Sequence, residues 1–172
     1  MDKDLLETKR LADALSCIMD LYFQLNKKLD NVMDWLDIEC NMNKLSAYIH
    51  KIAHTAPLVA DHYRDFNAAN GRRTLYRQIA GEFKDFTNIL EPFEEVLEFI
   101  IFIQTEINNA LDIAKEEDNI DAYEFLMSEI KVVREYKKQL VLFIDKLSAS
   151  LNQNMSLQSI DNNWEDYISM EV

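Results

Sequence analysis

Glycine and proline are nearly absent from this 172-residue chain, with two of each, and that scarcity removes the usual punctuation of hairpins and tight turns. Few stretches alternate apolar and polar residues, so long helices are the default and an all-α fold is expected. Cysteine is equally scarce. Cys17 and Cys40 stand alone without C-x-x-C spacing, which excludes a disulfide framework or thiolate cluster and predicts reduced, structural thiols in a cytoplasmic protein. Positive charge is short as well: 18 Lys and Arg face 31 Asp and Glu, for a formal net charge of −13. Nucleic-acid binding depends on Lys and Arg neutralising phosphates, so no nucleic-acid partner is expected and divalent metal ions suit better. The longest apolar run, Phe99 to Ile103, is far too short to span a bilayer. The opening MDKDLLETKR is charged where a signal peptide would be apolar. No membrane partner is expected. Gly-rich phosphate loops, a Ser-His-Asp order and a cysteine nucleophile are missing too.

What the chain does have is hydrophobic content, 48%, enough for one well-buried domain. Apolar residues return every three or four positions and predict four long helices, at 4–36, 42–67, 89–117 and 121–147. Asn41 is the expected N-cap of the second helix. Pro57 should kink or break that helix, and Asn70-Gly71 should end it. A crossover, 68–88, follows; its segment TLYRQIAGEF predicts a short amphipathic helix. Arg72, Arg73 and Arg77, with Arg64 nearby, form the one basic cluster and are expected to pair with surface acids. Phe99, Ile101 and Phe102 fall outside the inner stripe of the third helix, which points to contact with another copy of the chain. The last stretch, 148–172, is rich in Asn, Gln and Ser with isolated Ile160, Trp164 and Tyr167, and reads equally as a docked or a frayed tail.

The second helix concentrates the chemistry, holding all three histidines. On a wheel of about 100° per residue, Leu45, Tyr48, Ile49, Ile52, Ala56, Val59, Tyr63 and Phe66 form a core stripe. Asn43, Ser46, His50, His54, Asp61 and Asp65 occupy the opposite arc, and His62 lies on the flank. A metal centre inside a bundle needs carboxylates and imidazoles pointing inward. These point outward, so a metal site here belongs at the surface or between subunits. His50 and His54 at i, i+4 with Asp61 farther along can chelate, and carboxylate oxygens suit a hard cation such as Fe²⁺. The competing reading is a polar dimer interface in which the same residues exchange hydrogen bonds across a two-fold axis.

Two helices, a long crossover and two more helices is the connectivity of ferritin-like bundles, and less closely of growth-factor bundles. The segment Ala110 to Ile130, with its Phe125-Leu126 pair, resembles the ferritin-family junction between the third and fourth helices. The first two helices are similar to the Dps (DNA-binding protein from starved cells) branch. There a His-Trp pair is followed by a His eleven residues beyond the Trp and by Asp-x-x-x-Glu fifteen residues further on. The corresponding positions read Asp34-Trp35, Ser46, and Asp61 with Asp65. The resemblance implies a ferritin-like four-helix bundle that forms a homo-oligomer, a dimer or a cage. It also implies iron taken up and stored, with ferroxidase chemistry at an altered site between subunits. Asp61 and Asp65 would be ligands there; Asp34, and His50 and His54 on the same helix face but outside the family pattern, are candidates for completing the shell. The bundle-core site of ferritins proper is expected to be missing, because Glu106 is its one match and the acid position of the fourth helix reads Val132. The alternative is a non-enzymatic scaffold of the same fold, acting through oligomerisation or partner binding.

Overall fold

The structure, a computed structural model, describes residues 3–168, with side chains described from residue 9. Its elements are α1 (Lys3–Ile38), α2 (Asn43–Ala53), α3 (Thr55–Ala69), α4 (Glu91–Glu116), α5 (Ile120–Asn152), the short α6 (Leu157–Asn162) and a 3-10 turn (Trp164–Asp166). The apolar stripe of α1 is buried as its spacing predicts, through Leu11, Leu15, Ile18, Leu25, Leu29, Val32 and Leu36. The helix stops where Asn41 takes a φ of 54°, a left-handed conformation that Asn tolerates better than most residues. Asn41 therefore ends α1 and is not the N-cap of α2. Left-handed residues also follow the other long helices: Gly71, Asp118 and Asn154. After each, the next N–H reaches back five residues, from Arg72 to Asn67 at 2.9 Å, Asn119 to Ala114 at 2.9 Å and Met155 to Ser150 at 3.1 Å. These are Schellman closures, which satisfy carbonyls that a helix end leaves orphaned.

The predicted second helix is two helices, divided at His54. Pro57 is the cause. It has no N–H to give the carbonyl of Ala53, four residues back, and its ring crowds the preceding turn. Asn26 of α1 fills the gap by donating its side-chain amide to the Ala53 carbonyl at 3.0 Å. The start of α2 is rescued in a similar way. Its cap position, Met42, offers no side-chain hydrogen bond, and the free N–H groups of Lys44 and Leu45 donate to Asp161 Oδ1 at 3.1 and 2.8 Å. A carboxylate from the far end of the chain thus does the work of an N-cap. The tail is docked: Ile160 and Ile168 are buried, and the Trp164 ring lies 4.3 Å from that of Tyr48.

The crossover contains no helix between Arg72 and Leu90, contrary to the expectation for TLYRQIAGEF. Its backbone is held open by side chains of α1. Leu75 N–H donates to Ser16 Oγ at 3.1 Å, Lys27 reaches the carbonyls of Ile79 and Ala80, and Asn31 bonds both the N–H and the carbonyl of Lys84. Distance explains the choice. From Leu75 to Lys84 the chain keeps pace with Ser16 to Asn31, about 22 Å at the helical rise. A helix over the same crossover residues would cover only about 14 Å, whereas extended chain reaches the far end with residues to spare.

Arg10 pairs with Glu116 and Lys28 with Glu95, so α1 and α4 run antiparallel. Tyr63 meets Phe125 at 5.2 Å between ring centres and His62 meets Glu129 at 3.4 Å, so α3 and α5 do too. α1 and α5 point one way, and α2–α3 and α4 the other, around one apolar core in which Phe93 packs on Phe143. Both cysteines are free. Burial raises the thiol pKa of each, that of Cys40 to about 11, so they stay protonated at neutral pH and act as packing groups. Among the described residues no helix is long and apolar enough to cross a membrane.

Candidate metal-binding face and bundle interior

The five residues singled out from sequence fall into three places within one chain. Asp61 and Asp65 lie on the outer side of α3, and both are held by Arg64, whose guanidinium meets Asp61 Oδ1 at 2.9 Å and Asp65 Oδ1 at 2.8 Å. His50 and His54 sit at the end of α2 and in the break after it, with Nε2 atoms 3.1 Å apart. Asp34 is exposed on the last part of α1. The residue beside it, Met33, accepts a hydrogen bond from Ser46 at 3.1 Å, which puts Asp34 level with the start of α2. At the helical rise, Asp61 is then roughly 20 Å away along the bundle. One subunit does not bring these side chains to a single ion. Among the described residues no three His, Cys, Asp or Glu side chains come together in a way that could hold a metal. Ser46 also departs from its expected outward position: it is 6% exposed, its hydroxyl spent on the Met33 carbonyl.

Among the polar groups buried in the described residues is a carboxylate that is not one of the five singled out from sequence. Glu129 of α5 is 7% exposed, and His62 of α3, placed on the flank of the wheel, faces it through Nδ1. Tyr22 and Tyr63 pack ring to ring beside this pair at 5.8 Å, and burial raises both phenol pKa values above their ordinary range. Burial also raises the Glu129 carboxyl pKa, with His62 opposing the shift. The signal lay in the α5 stripe, where Glu129 stands at the core position between Leu126 and Val133.

The folded protein holds the Glu129 proton more tightly than the unfolded chain. Stability contributed by this group is therefore highest below the ordinary carboxylate range and falls as pH rises through the raised value. Glu129→Gln is expected to raise the urea midpoint at about pH 7 and to match the parent protein below about pH 4. A variant that is weaker at neutral pH would mean that pairing with His62 outweighs the cost of burial.

No family model and no curated relative matches the sequence. Solved structures do match. An iron-soaked variant of the ferritin PmFTN superposes with a TM-score of 0.85 at 12% identity, covering 90% of this chain and 99% of that one. An open-pore ferritin from the hyperthermophilic archaeon Archaeoglobus fulgidus superposes at 0.83 with 16% identity, covering 89% and 94%. The fold is ferritin-like.

Di-iron proteins of this architecture draw a Glu from each of two helices and a Glu-x-x-His motif from each of the other two into the bundle core. Among the described residues the carboxylate buried between the long helices is Glu129, the other buried one, Asp161, being used to cap α2. The centre of this ferritin-like bundle is a cavity of about 50 Å³ lined chiefly by apolar side chains, among them Leu25, Phe93, Ile103 and Val133, with Tyr22 and Tyr136 at its wall. Glu106 is partly exposed and accepts from Asn109 at 3.2 Å, while Val132 is 41% exposed. The interior residues do not fit a dinuclear iron centre.

Proposed function

We propose that the protein works as a self-associating ferritin-like bundle that does not oxidise iron within its core. The observation that carries this reading is the packing of the interior with Tyr22, Tyr63, Phe93, Ile103 and Val133 where an iron centre would need four carboxylates. Association is supported by Ile101 and Phe102 on α4 and Leu142 on α5, each close to half exposed, apolar area that a second copy would cover. Light scattering should give a mass above the 20.2 kDa of one chain. Ferrous iron added in air at two equivalents should oxidise at the rate of buffer alone. Rapid oxidation that survives Asp61→Asn plus Asp65→Asn would place a working centre in the bundle and sink the proposal.

A second reading keeps iron as cargo, taken up and oxidised at an altered site between subunits with Asp61, Asp65, Asp34, His50 and His54 as candidate ligands. What favours it is that Asp61 and Asp65 already converge on one cation, the Arg64 guanidinium. Arg64 is partly exposed and can swing away at little cost, and a hard divalent ion would take its place. On this reading Arg64→Ala tightens iron binding and the double Asn variant abolishes it. Unchanged binding in both variants removes it.

A further inference from the structure

His50 and His54 are used neither by the bundle interior nor by the Asp61–Arg64–Asp65 group. They are one turn apart, where side chains on a helix share a face. His50 belongs to α2 and His54 is the residue that separates α2 from α3. The rings are nearly perpendicular, at 79°, with centres 4.4 Å apart, and the two Nε2 atoms approach to 3.1 Å. Imidazole nitrogens bind zinc at about 2.0–2.1 Å. Two nitrogens at that distance from one ion and 3.1 Å from each other subtend about 95–102° at the metal, between octahedral and tetrahedral neighbours. On the other edge of His50, Nδ1 faces Asp30 Oδ1 of α1 at 3.9 Å. That is beyond direct hydrogen-bond reach, but a negative charge on this side favours a proton on Nδ1 and a lone pair on Nε2. The His50 side chain is about half exposed, so water can complete a coordination shell.

We propose that His50 and His54 form a surface bis-imidazole site for a borderline divalent cation such as Zn²⁺, Ni²⁺ or Cu²⁺, with Asp30 as its positioning residue and water in the remaining places. The ion clamps the last turn of α2, which His54 closes by donating its backbone N–H to the His50 carbonyl at 3.2 Å, beside the break that Pro57 imposes. Imidazole selects these metals over Mg²⁺ or Ca²⁺. The site does not depend on the self-associating bundle proposed above, since it lies outside the core; it shares its two histidines with the second reading but holds a different ion within one chain and leaves Asp61 and Asp65 aside.

The experiment is calorimetric titration of the full chain with Ni²⁺ alone, paired with thermal melts with and without the metal. The expected result is saturable binding by the parent protein, weakened about tenfold or more by His54→Ala and by His50→Ala. Asp30→Asn should weaken it by less, and Asp61→Asn plus Asp65→Asn should leave it unchanged. Ni²⁺ should raise the melting temperature of the parent and not of His54→Ala. Both histidines are exposed, and circular dichroism of the variants confirms that loss of binding is not loss of fold. Absence of saturable binding would show that the rings share only a hydrogen bond, and would overturn the site. Parent-like binding by His54→Ala would overturn it as well, and binding lost only in the Asp61 and Asp65 variant would move the metal to α3. Parent-like binding by Asp30→Asn would remove the positioning role.

Discussion

Replacing Phe143 with alanine is expected to cost about 3–5 kcal/mol of folding stability, a fall of roughly ten degrees in Tm for a domain of this size. Phe143 is fully buried. Its ring meets that of Phe93 at 4.7 Å and 68°, the edge-to-face arrangement aromatic pairs prefer. Truncation loses the transfer energy of the ring and the pair interaction, and leaves a cavity that rigid neighbouring helices cannot close. The residue before it is the natural control. Leu142 is 45% exposed, and Leu142→Ala should change the stability of the single chain by no more than about 0.5 kcal/mol. Urea unfolding followed by circular dichroism decides the matter, and equal losses in the two variants would mean that the inner face of α5 is misplaced. If Leu142→Ala leaves stability alone but lowers the mass seen by light scattering, it marks the surface through which copies associate.

The long helices were readable because burial of one face imposes a period of three and four, and nothing in α1, α4 or α5 opposes it. Misreadings arise where another force overrides the local pattern. TLYRQIAGEF has helical spacing, but this stretch must keep pace with about 22 Å of α1, and Ser16, Lys27 and Asn31 supply the hydrogen bonds a helix would have made internally. Asn41 looked like an N-cap because Asn suits caps, yet it suits left-handed helix ends as well. Only the distant Asp161 makes a local cap for α2 unnecessary. The wheel spacing puts Ser46 on the outward arc, and the Met33 carbonyl that offsets its burial lies on another helix, which spacing within one helix cannot show. The candidate site followed the same logic. A helical wheel shows that His50, His54, Asp61 and Asp65 share a side of the chain, but it discards the axial distance that keeps them from one ion. In the sequence Arg64 is a charge near both aspartates; only the folded helix makes it the cation on which they close. Glu129 was legible as a carboxylate inside an apolar stripe; its partner His62 was not, because nothing in one helix says which residue of another it faces.

Asp161→Ala is expected to cost about 2–4 kcal/mol and to release the tail. Asp161 is 2% exposed, and one of its oxygens accepts from two backbone N–H groups, those of Lys44 and Leu45. Hydrogen bonds to charged groups contribute about 1.5–3 kcal/mol each, and their removal leaves buried donors unmade. The carboxylate also sits at the N-terminal end of α2, where a negative charge is favoured by the helix dipole. Its loss should propagate through the short α6, held otherwise by Ile160 in the core and Lys44 Nζ to Asn162 at 2.9 Å, while the residues beyond it keep the Trp164–Tyr48 ring contact, Lys146 Nζ on the Asp166 carbonyl, the Ser150–Tyr167 hydrogen bond and the buried Ile168. Once α6 lifts, Trp164 enters water and its fluorescence shifts to the red. The turn around Asn154, left-handed at φ 59°, becomes open to proteolysis. Asp161→Asn separates charge from geometry, since the amide oxygen can still accept from both N–H groups and should retain about half of the stabilisation. A tail that stays protected in Asp161→Ala, with stability within about 0.5 kcal/mol of the parent, would show that α2 finds another cap and that the docking rests on the remaining contacts of Ile160, Trp164, Tyr167 and Ile168.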